Sequence, residues 1–142
     1  MPETYDDSTN SAPSSSEMAC PTVFIVDDDY AIRDSLRVLM RTLGLPVRTY
    51  PSAEDFLTEF QPQWTGILFV DLRMPGMGGF QLIEQLDQRG SSLPVAVISG
   101  HLDEDQISES SGSYPVNILE KPFGIDRLKE ILRKYFSSPT LD

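Results

Sequence analysis

Short apolar runs alternate with amphipathic stretches along most of the chain. Runs rich in β-branched and aromatic residues predict five strands, at 23–26, 47–50, 66–70, 94–99 and 116–119. Three of these runs are apolar almost throughout, which is typical of strands that are buried on both faces of a parallel sheet. The pattern therefore predicts a parallel sheet covered by helices on both sides.

The stretches between the runs carry apolar residues at helical spacing. The first predicted helix stops at Gly44, a residue suited to a left-handed helix end, and the second begins at Ser52, a good N-cap. A third helix is predicted over 79–90. The apolar positions of the first, second and last helices are Ile32, Leu36, Leu39 and Leu43, then Phe56, Leu57 and Phe60, then Ile125, Leu128, Leu132 and Tyr135. Strand and helix alternate, so the expected fold is an open, doubly wound α/β sandwich with right-handed crossovers.

The segment 102–114 and the two chain ends depart from this pattern. In 102–114, Ser and Gly outnumber large apolar residues, so we expect a short or mobile fourth helix there. Residues 1–21 are acidic and poor in large aliphatic side chains, which predicts a disordered tail. Residues 137–142 are expected to form a second, C-terminal tail, which leaves 22–136 as one folded domain.

Composition and charge narrow the function classes. The chain has 142 residues with 39% hydrophobic side chains, enough for one domain, and its net charge of −11 disfavours binding to a phosphate backbone. No apolar stretch approaches the roughly 20 residues that span a bilayer, and no secretion signal begins the chain, so a soluble, cytoplasmic protein is expected. The lone Cys20 predicts neither a disulfide nor a structural zinc site.

Polar side chains follow four of the five predicted strands. Each has an ordinary structural explanation by itself, because Asp often caps a helix, Ser often ends a strand and Lys is usually solvated. Together they predict one site, since the carboxyl ends of parallel strands meet at one edge of an open α/β sheet. The residues are Asp27, Asp28 and Asp29 after the first strand, Asp71 after the third, Ser99 at the end of the fourth, and Lys121 with Pro122 after the fifth.

The residue types at this edge indicate phosphoryl transfer. Carboxylates from two strands repel one another, and Mg²⁺ suits such a site because it accepts a few protein oxygens and leaves room for a phosphoryl oxygen. Asp71 is then placed to attack phosphorus as a nucleophile and form an acyl phosphate. Lys121 and Ser99 would meet the charge that develops on the transferring group.

Four short motifs occur in a fixed order along the folded region. They are Val26-Asp27-Asp28, Asp71-Leu72-Arg73-Met74-Pro75 with Gly79, Ser99-Gly100 and Lys121-Pro122-Phe123. In combination they resemble the CheY-like receiver domain of two-component response regulators, especially receivers that precede a helix-turn-helix domain. The resemblance implies a flavodoxin-like (βα)5 sandwich whose parallel strands run in the order 2-1-3-4-5. The chain is expected to be either a stand-alone receiver or part of a longer regulator.

The resemblance implies a set of ligands for Mg²⁺. Asp28 would bind the ion directly and Asp27 through water, with Asp71 and the backbone carbonyl of Arg73 completing the protein ligands. Asp29 is open to two interpretations, an acidic residue of the site or a favourable charge at the start of the first helix.

The resemblance also implies roles around the phosphoryl group. Asp71 would be the phosphoacceptor, Ser99 the switch hydroxyl that moves to the phosphoryl group, and Lys121 the cation paired with it. A cis peptide at Pro122 would set the approach of Lys121. Arg73 and His101 would either control water access to the site or remain solvated surface residues. No enzyme activity is expected beyond the receiver's own phosphorylation and dephosphorylation.

The sequence departs from the family at Ile118, where receivers usually carry an aromatic residue, and in the polar segment 102–114.

Three function classes stay open: a phosphorylatable receiver, a receiver-like interaction module without phosphoryl chemistry, and a phosphatase or phosphotransferase that acts on small molecules. The last class commonly has an acid two residues after its nucleophile, where this chain has Arg73.

The implied partners are a sensor histidine kinase or phosphotransfer protein, and a downstream protein target or a second copy of the chain. Neither direct nucleic-acid binding nor membrane association is expected. Arg33, Arg37 and Arg41 lie at helical spacing on the first helix and form either a kinase-docking surface or a solvated basic face.

Overall fold

The computed structural model describes residues 20–100, 114–137 and 139–141. The expectations for the N-terminal tail up to residue 19, for His101 and for the helix over 102–114, apart from Tyr114, lie outside the described residues. Among the described helices, none has the length and apolar character that crossing a bilayer requires.

The sheet has five parallel strands in the order β2-β1-β3-β4-β5, so the predicted fold class and strand order are confirmed. The strand positions agree with the apolar runs to within one residue at each end. Their bounds are β1 (Thr22–Val26), β2 (Val47–Tyr50), β3 (Gly66–Asp71), β4 (Val95–Ser99) and β5 (Val116–Glu120).

Four α-helices and one 3-10 turn are described. They are α1 (Tyr30–Thr42), α2 (Ala53–Glu59), α3 (Gly79–Gln88), α4 (Ile125–Leu132) and the 3-10 turn Pro139–Leu141. The predicted start of α2 is confirmed, because the Ser52 hydroxyl accepts a hydrogen bond from the amide of Asp55 at 3.0 Å. The predicted end of α1 is confirmed as well, since Gly44 follows it with a φ of 78°, in the left-handed region.

Two hydrophobic cores lie on opposite faces of the sheet. Successive side chains of a strand point to opposite faces, so Phe24 and Val26 enter one core while Val23 and Ile25 enter the other. The first core also contains the buried residues of α2 and α3, and the second those of α1 and α4. Burial of β1 and β3 between two cores explains their continuous apolar sequences.

Two predicted positions near the C-terminus differ from the structure. Ile125 was expected on the buried face of the last helix, yet it is 43% exposed, and Ile131 is buried instead. Ile125 is the first residue of α4, so no preceding turn of that helix covers it. The predicted tail over 137–142 does not account for Leu141, which is only 1% exposed in the second core. Its carbonyl accepts a 2.6 Å hydrogen bond from Arg133, which holds this apolar residue against the domain.

Candidate functional site

Three carboxylates meet at the carboxyl edge of the sheet. Strands β1 and β3 are paired neighbours, with Val26 opposite Val70, so the residues that follow them come side by side. Each of Asp27, Asp28 and Asp71 places a carboxylate oxygen within 4.8 Å of the others. The predicted convergence of acidic groups from two strands is therefore present in the structure.

Asp27 is the buried member of this acidic cluster, with 1% exposure. Its Oδ1 accepts a hydrogen bond from the Asp29 amide at 2.8 Å, whereas its Oδ2 is buried and has no hydrogen-bond partner among the described residues. Burial raises the pKa of Asp27 above its ordinary value, and the neighbouring Asp71 carboxylate raises it further. The Asp29 amide and the charge of Lys121 oppose that rise. The acidic cluster at the carboxyl edge of the sheet thus concentrates negative charge where one carboxylate is shielded from solvent.

This arrangement fits a hard divalent cation. A buried carboxylate oxygen without a partner is rare in folded proteins and needs a reason, which a bound ion would supply. Asp28 is exposed and Asp71 is half-buried, so the cluster opens to water on one side. Mg²⁺ prefers oxygen ligands and retains several waters, and the cluster offers carboxylate oxygens with one side open to solvent.

Ser99 ends β4, and Lys121 directly follows β5, at the same carboxyl edge of the sheet. Strand β4 pairs with β3, with Asp71 opposite Ile98, so Ser99 ends its strand one residue beyond that pair. Ser99 is 3% exposed, and its carbonyl accepts a hydrogen bond from the Lys121 amide at 2.8 Å. The peptide bond between Lys121 and Pro122 is cis, as the resemblance implied. The charge of Lys121 acts on Asp27, where it opposes the rise in the pKa of that carboxyl.

Of the two remaining candidate residues, Arg73 contacts Asp71 and Asp29 caps a helix. The amide of Arg73 donates to Asp71 Oδ1 at 3.0 Å, which fixes the loop after β3, while Arg73 itself is exposed. Asp29 is an N-cap, because its carboxylate accepts hydrogen bonds from the amides of Ala31 at 2.9 Å and Ile32 at 3.3 Å. Of the two interpretations left open for Asp29, the structure supports the start of the helix.

Gly79 and Arg33 shape the site in ways that the sequence patterns did not reveal. A Cβ at Gly79 would lie 3.1 Å from Leu72 Cα and 3.3 Å from the carbonyl oxygen of Asp71, so glycine lets α3 begin close to the phosphoacceptor candidate. Arg33, interpreted from sequence as part of either a kinase-docking surface or a solvated basic face, donates to the carbonyl of Asp27 at 2.7 Å. The one sequence signal for this contact is the position of Arg33, four residues after Asp29, the N-cap of α1.

The fold and the acidic edge define a class: doubly wound α/β domains with a cluster of carboxylates at the strand ends. Comparison with known proteins gives the family. The family model described as "Response regulator receiver domain" matches residues 23–133. The chain therefore belongs to the response regulator receiver domain family, and the resemblance noted in the sequence is confirmed.

Particular relatives agree with this assignment. The transcriptional regulatory protein FixJ of Azorhizobium caulinodans is 39% identical over 101 residues, covering 71% of this chain and 48% of that protein. The C4-dicarboxylate transport transcriptional regulatory protein DctD of Pseudomonas aeruginosa is 35% identical over 112 residues, covering 79% of this chain and 24% of that protein. A crystal structure of FixJ-N is similar with a TM-score of 0.71 and 36% identity, covering 80% of this chain and 91% of that one.

This chain covers only part of the two full-length regulators. This chain spans 48% of the FixJ sequence and 24% of the DctD sequence, so the regulatory activities in those names belong to larger proteins. The part of these relatives that this chain shares is the receiver domain. Receiver domains are signalling modules of two-component systems, and they generally bind Mg²⁺ at an aspartate cluster such as the one described above.

Proposed function

We propose that this chain is a cytoplasmic phosphoreceiver in which Asp71 accepts a phosphoryl group from a histidine kinase or a phosphotransfer protein, with Mg²⁺ as cofactor. The observation that carries the proposal is the acidic cluster. Three carboxylate oxygens lie within 4.8 Å of one another, one of them on the buried Asp27, whose pKa the charge of Lys121 lowers against the effect of burial.

Four residues would hold the cation: Asp28 directly, Asp27 through water, Asp71, and Arg73 through its backbone carbonyl. When bound, Mg²⁺ neutralises the crowded carboxylates and polarises the incoming phosphoryl oxygens. The partnerless Oδ2 of Asp27 supports this ligand set, because it supplies an acceptor that the protein itself leaves unused in the described residues.

The transfer step forms a bond between a carboxylate oxygen of Asp71 and phosphorus. The bond from phosphorus to the donor breaks, and the donor histidine nitrogen retains that electron pair. The Arg73 amide, 3.0 Å from Asp71 Oδ1, holds the carboxylate in place for the attack. The ammonium of Lys121 stabilises the negative charge that spreads over the transferring oxygens.

The phosphorylated state would signal through Ser99 and Lys121. A phosphoryl group adds roughly −1.5 to −2 charges and three strong acceptors at one point. Charge-assisted hydrogen bonds from the Ser99 hydroxyl and the Lys121 ammonium would favour an arrangement that the free domain populates rarely. The outcome is a population shift that changes the surface offered to a downstream protein target or to a second copy of the chain.

One observation favours a second candidate, an interaction module that is not phosphorylated. Ile118, half-buried on β5, occupies the position where receivers usually carry a switching aromatic residue. Without that aromatic side chain, movement of Ser99 would reach the surface by another route or not at all.

A phosphate-affinity gel after incubation with acetyl phosphate and MgCl₂ separates these candidates. We expect a retarded band for the wild type, no retarded band for Asp71→Asn, and loss of the band when EDTA replaces Mg²⁺. Asp87→Asn, which removes an exposed carboxylate from α3 away from the cluster, is the matched control and should leave the band unchanged. A wild-type protein that stays unmodified with both acetyl phosphate and phosphorylated kinases would contradict the phosphoreceiver assignment. Turnover of generic phosphate esters would instead indicate an enzyme.

A further inference from the structure

Arg33 differs from the other arginines of α1. Its Nη1 donates to the backbone carbonyl of Asp27 at 2.7 Å, and its guanidinium lies 5.4 Å from the centre of the Tyr30 ring. Arg37, one turn further, donates instead to Asp34 on the same helix, at 2.5 and 3.1 Å. Arg41 is exposed. Only the first of these three side chains contacts the strand end that carries the acidic cluster.

The contact closes a ring of hydrogen bonds around the loop between β1 and α1. The Arg33 amide donates to the Asp29 carbonyl at 3.0 Å, and the Asp29 amide donates to Asp27 Oδ1 at 2.8 Å. The Arg33 side chain then returns to the carbonyl of Asp27. Asp27 is therefore held at both its backbone and its carboxylate, although burial and a neighbouring carboxylate disfavour its charge.

We propose that Arg33 is a positioning residue for the cation site, fixing Asp27 and Asp28 through the Asp27 carbonyl. The inference rests on the proposed function, because it assigns Arg33 a role in holding the ligands of Mg²⁺. Cation ligands bind best when their backbone is fixed before the ion arrives, and partners of the ligands commonly change metal affinity about tenfold or more when removed. The single hydrogen bond from Nη1 is a point contact, so a lysine ammonium can replace it in part.

Isothermal titration of MgCl₂ into the whole chain tests this role. Arg33→Met keeps the aliphatic stem and removes the donor, and we expect the Kd for Mg²⁺ to rise about tenfold. Arg33→Lys should recover much of that loss. Arg37→Met makes the same change of charge on the same helix without touching Asp27, and it should leave the Kd near the wild-type value.

Rates of phosphorylation by acetyl phosphate supply a second readout. Because Arg33 acts through the backbone carbonyl of Asp27, Arg33→Met should require more Mg²⁺ for half-maximal rate while approaching the wild-type maximal rate at saturating Mg²⁺. A variant that was merely less stable would instead lose maximal rate in proportion to its unfolded fraction. If Arg33→Met folds poorly, Arg33→Gln replaces it with the same expectations.

Two results would overturn the role of Arg33. One is an unchanged Kd for Mg²⁺ in Arg33→Met or Arg33→Gln. The other is equal weakening in Arg33→Met and Arg37→Met, which would make the effect one of overall charge. In both cases a wild type that still binds Mg²⁺ and accepts phosphoryl groups leaves the proposed function intact. A wild type that binds no Mg²⁺ would remove the proposed function and this inference with it.

Discussion

The Tyr114 hydroxyl near the amino edge of the sheet and the Asp27 carboxylate at its carboxyl edge differ in how their buried oxygen atoms are hydrogen-bonded. Near the amino edge the Tyr114 hydroxyl donates to the Leu93 carbonyl at 2.7 Å and shares a 2.9 Å hydrogen bond with the Ser91 hydroxyl. The Ser91 hydroxyl in turn accepts from the Leu93 amide at 3.0 Å. At the carboxyl edge, Asp27 is as deeply buried, but its Oδ2 has no hydrogen-bond partner in the described part of the chain.

This difference in hydrogen bonding indicates that the two groups serve different purposes, stability for Tyr114 and ligand binding for Asp27. Paired polar groups such as those around Tyr114 stabilise one arrangement of the chain. Clustered carboxylates with an unused acceptor destabilise the ligand-free fold and are retained where a ligand relieves the strain. We therefore expect substitutions at the amino edge to change stability alone, and substitutions at the carboxyl edge to change ligand binding and stability in opposite directions.

The largest effect is expected at Gly66, at the amino end of β3. Its φ of 119° is unfavourable for other residues, and a Cβ there would lie 2.0 Å from the carbonyl oxygen of Thr22. Gly66→Ala should lower the free energy of unfolding by more than about 3 kcal/mol, because backbone must shift. Urea unfolding followed by fluorescence of Trp64, the single tryptophan, measures this.

Gly90→Ala is the control, because Gly90 also has a positive φ, 76°, but has nothing within 4 Å of the added Cβ. It should lose only about 1 kcal/mol. Equal decreases in the free energy of unfolding of Gly66→Ala and Gly90→Ala would show that the close approach of Gly66 to Thr22 does not affect stability.

Asp27→Asn is expected to have the next largest effect, and it tests the carboxyl edge directly. Removing one charge from the acidic cluster should raise the Kd for Mg²⁺ about a hundredfold, at the upper end of the range for groups around a metal. In EDTA the same variant should be more stable than the wild type by about 1 kcal/mol, because the repulsion is relieved. Calorimetric titration and urea unfolding measure the two quantities. A variant that is less stable in EDTA would remove the contrast between the two edges.

Tyr114→Phe should lower the free energy of unfolding by about 1–2 kcal/mol, since it leaves the buried Leu93 carbonyl without its side-chain donor. The Kd for Mg²⁺ should stay within about twofold of the wild type. Tyr135→Phe, which removes the hydroxyl that accepts from Asn117 at a half-buried position, provides a milder comparison. A change in Mg²⁺ affinity as large as the change in stability would mean that the two edges are coupled.

The smallest expected effect is a pH dependence at the amino edge. Burial raises the pKa of Tyr114 above its ordinary value of 10.0. Above pH 10 the unfolded chain therefore binds fewer protons at this residue than the folded chain, so stability falls as pH rises. Urea unfolding at pH 9 and pH 11 should show a smaller loss for Tyr114→Phe than for the wild type. Equal losses would place the alkaline sensitivity elsewhere, for example at Tyr50, whose pKa burial also raises.

Much of the fold was accessible from the sequence because its determinants are local. Strand positions follow from apolar runs, and two helix boundaries follow from the chemistry of Ser52 and Gly44, which act within a few residues of their own backbone. The site was accessible for a related reason. A parallel sheet brings the ends of its strands to one edge, so Asp27, Asp28 and Asp71 could be placed together from their positions alone.

What the sequence determined by itself was thus the alternation of elements, the fold class and the identity of the acidic edge. Tertiary structure alone decided that Leu141 is buried, that Ile125 is exposed, and that Arg33 contacts the Asp27 carbonyl. These outcomes depend on which surfaces lie opposite each residue after the chain has packed. Hydrophobic periodicity reports the preference of a side chain, whereas burial and hydrogen bonding also require a partner, and distant segments supply that partner only in the folded domain.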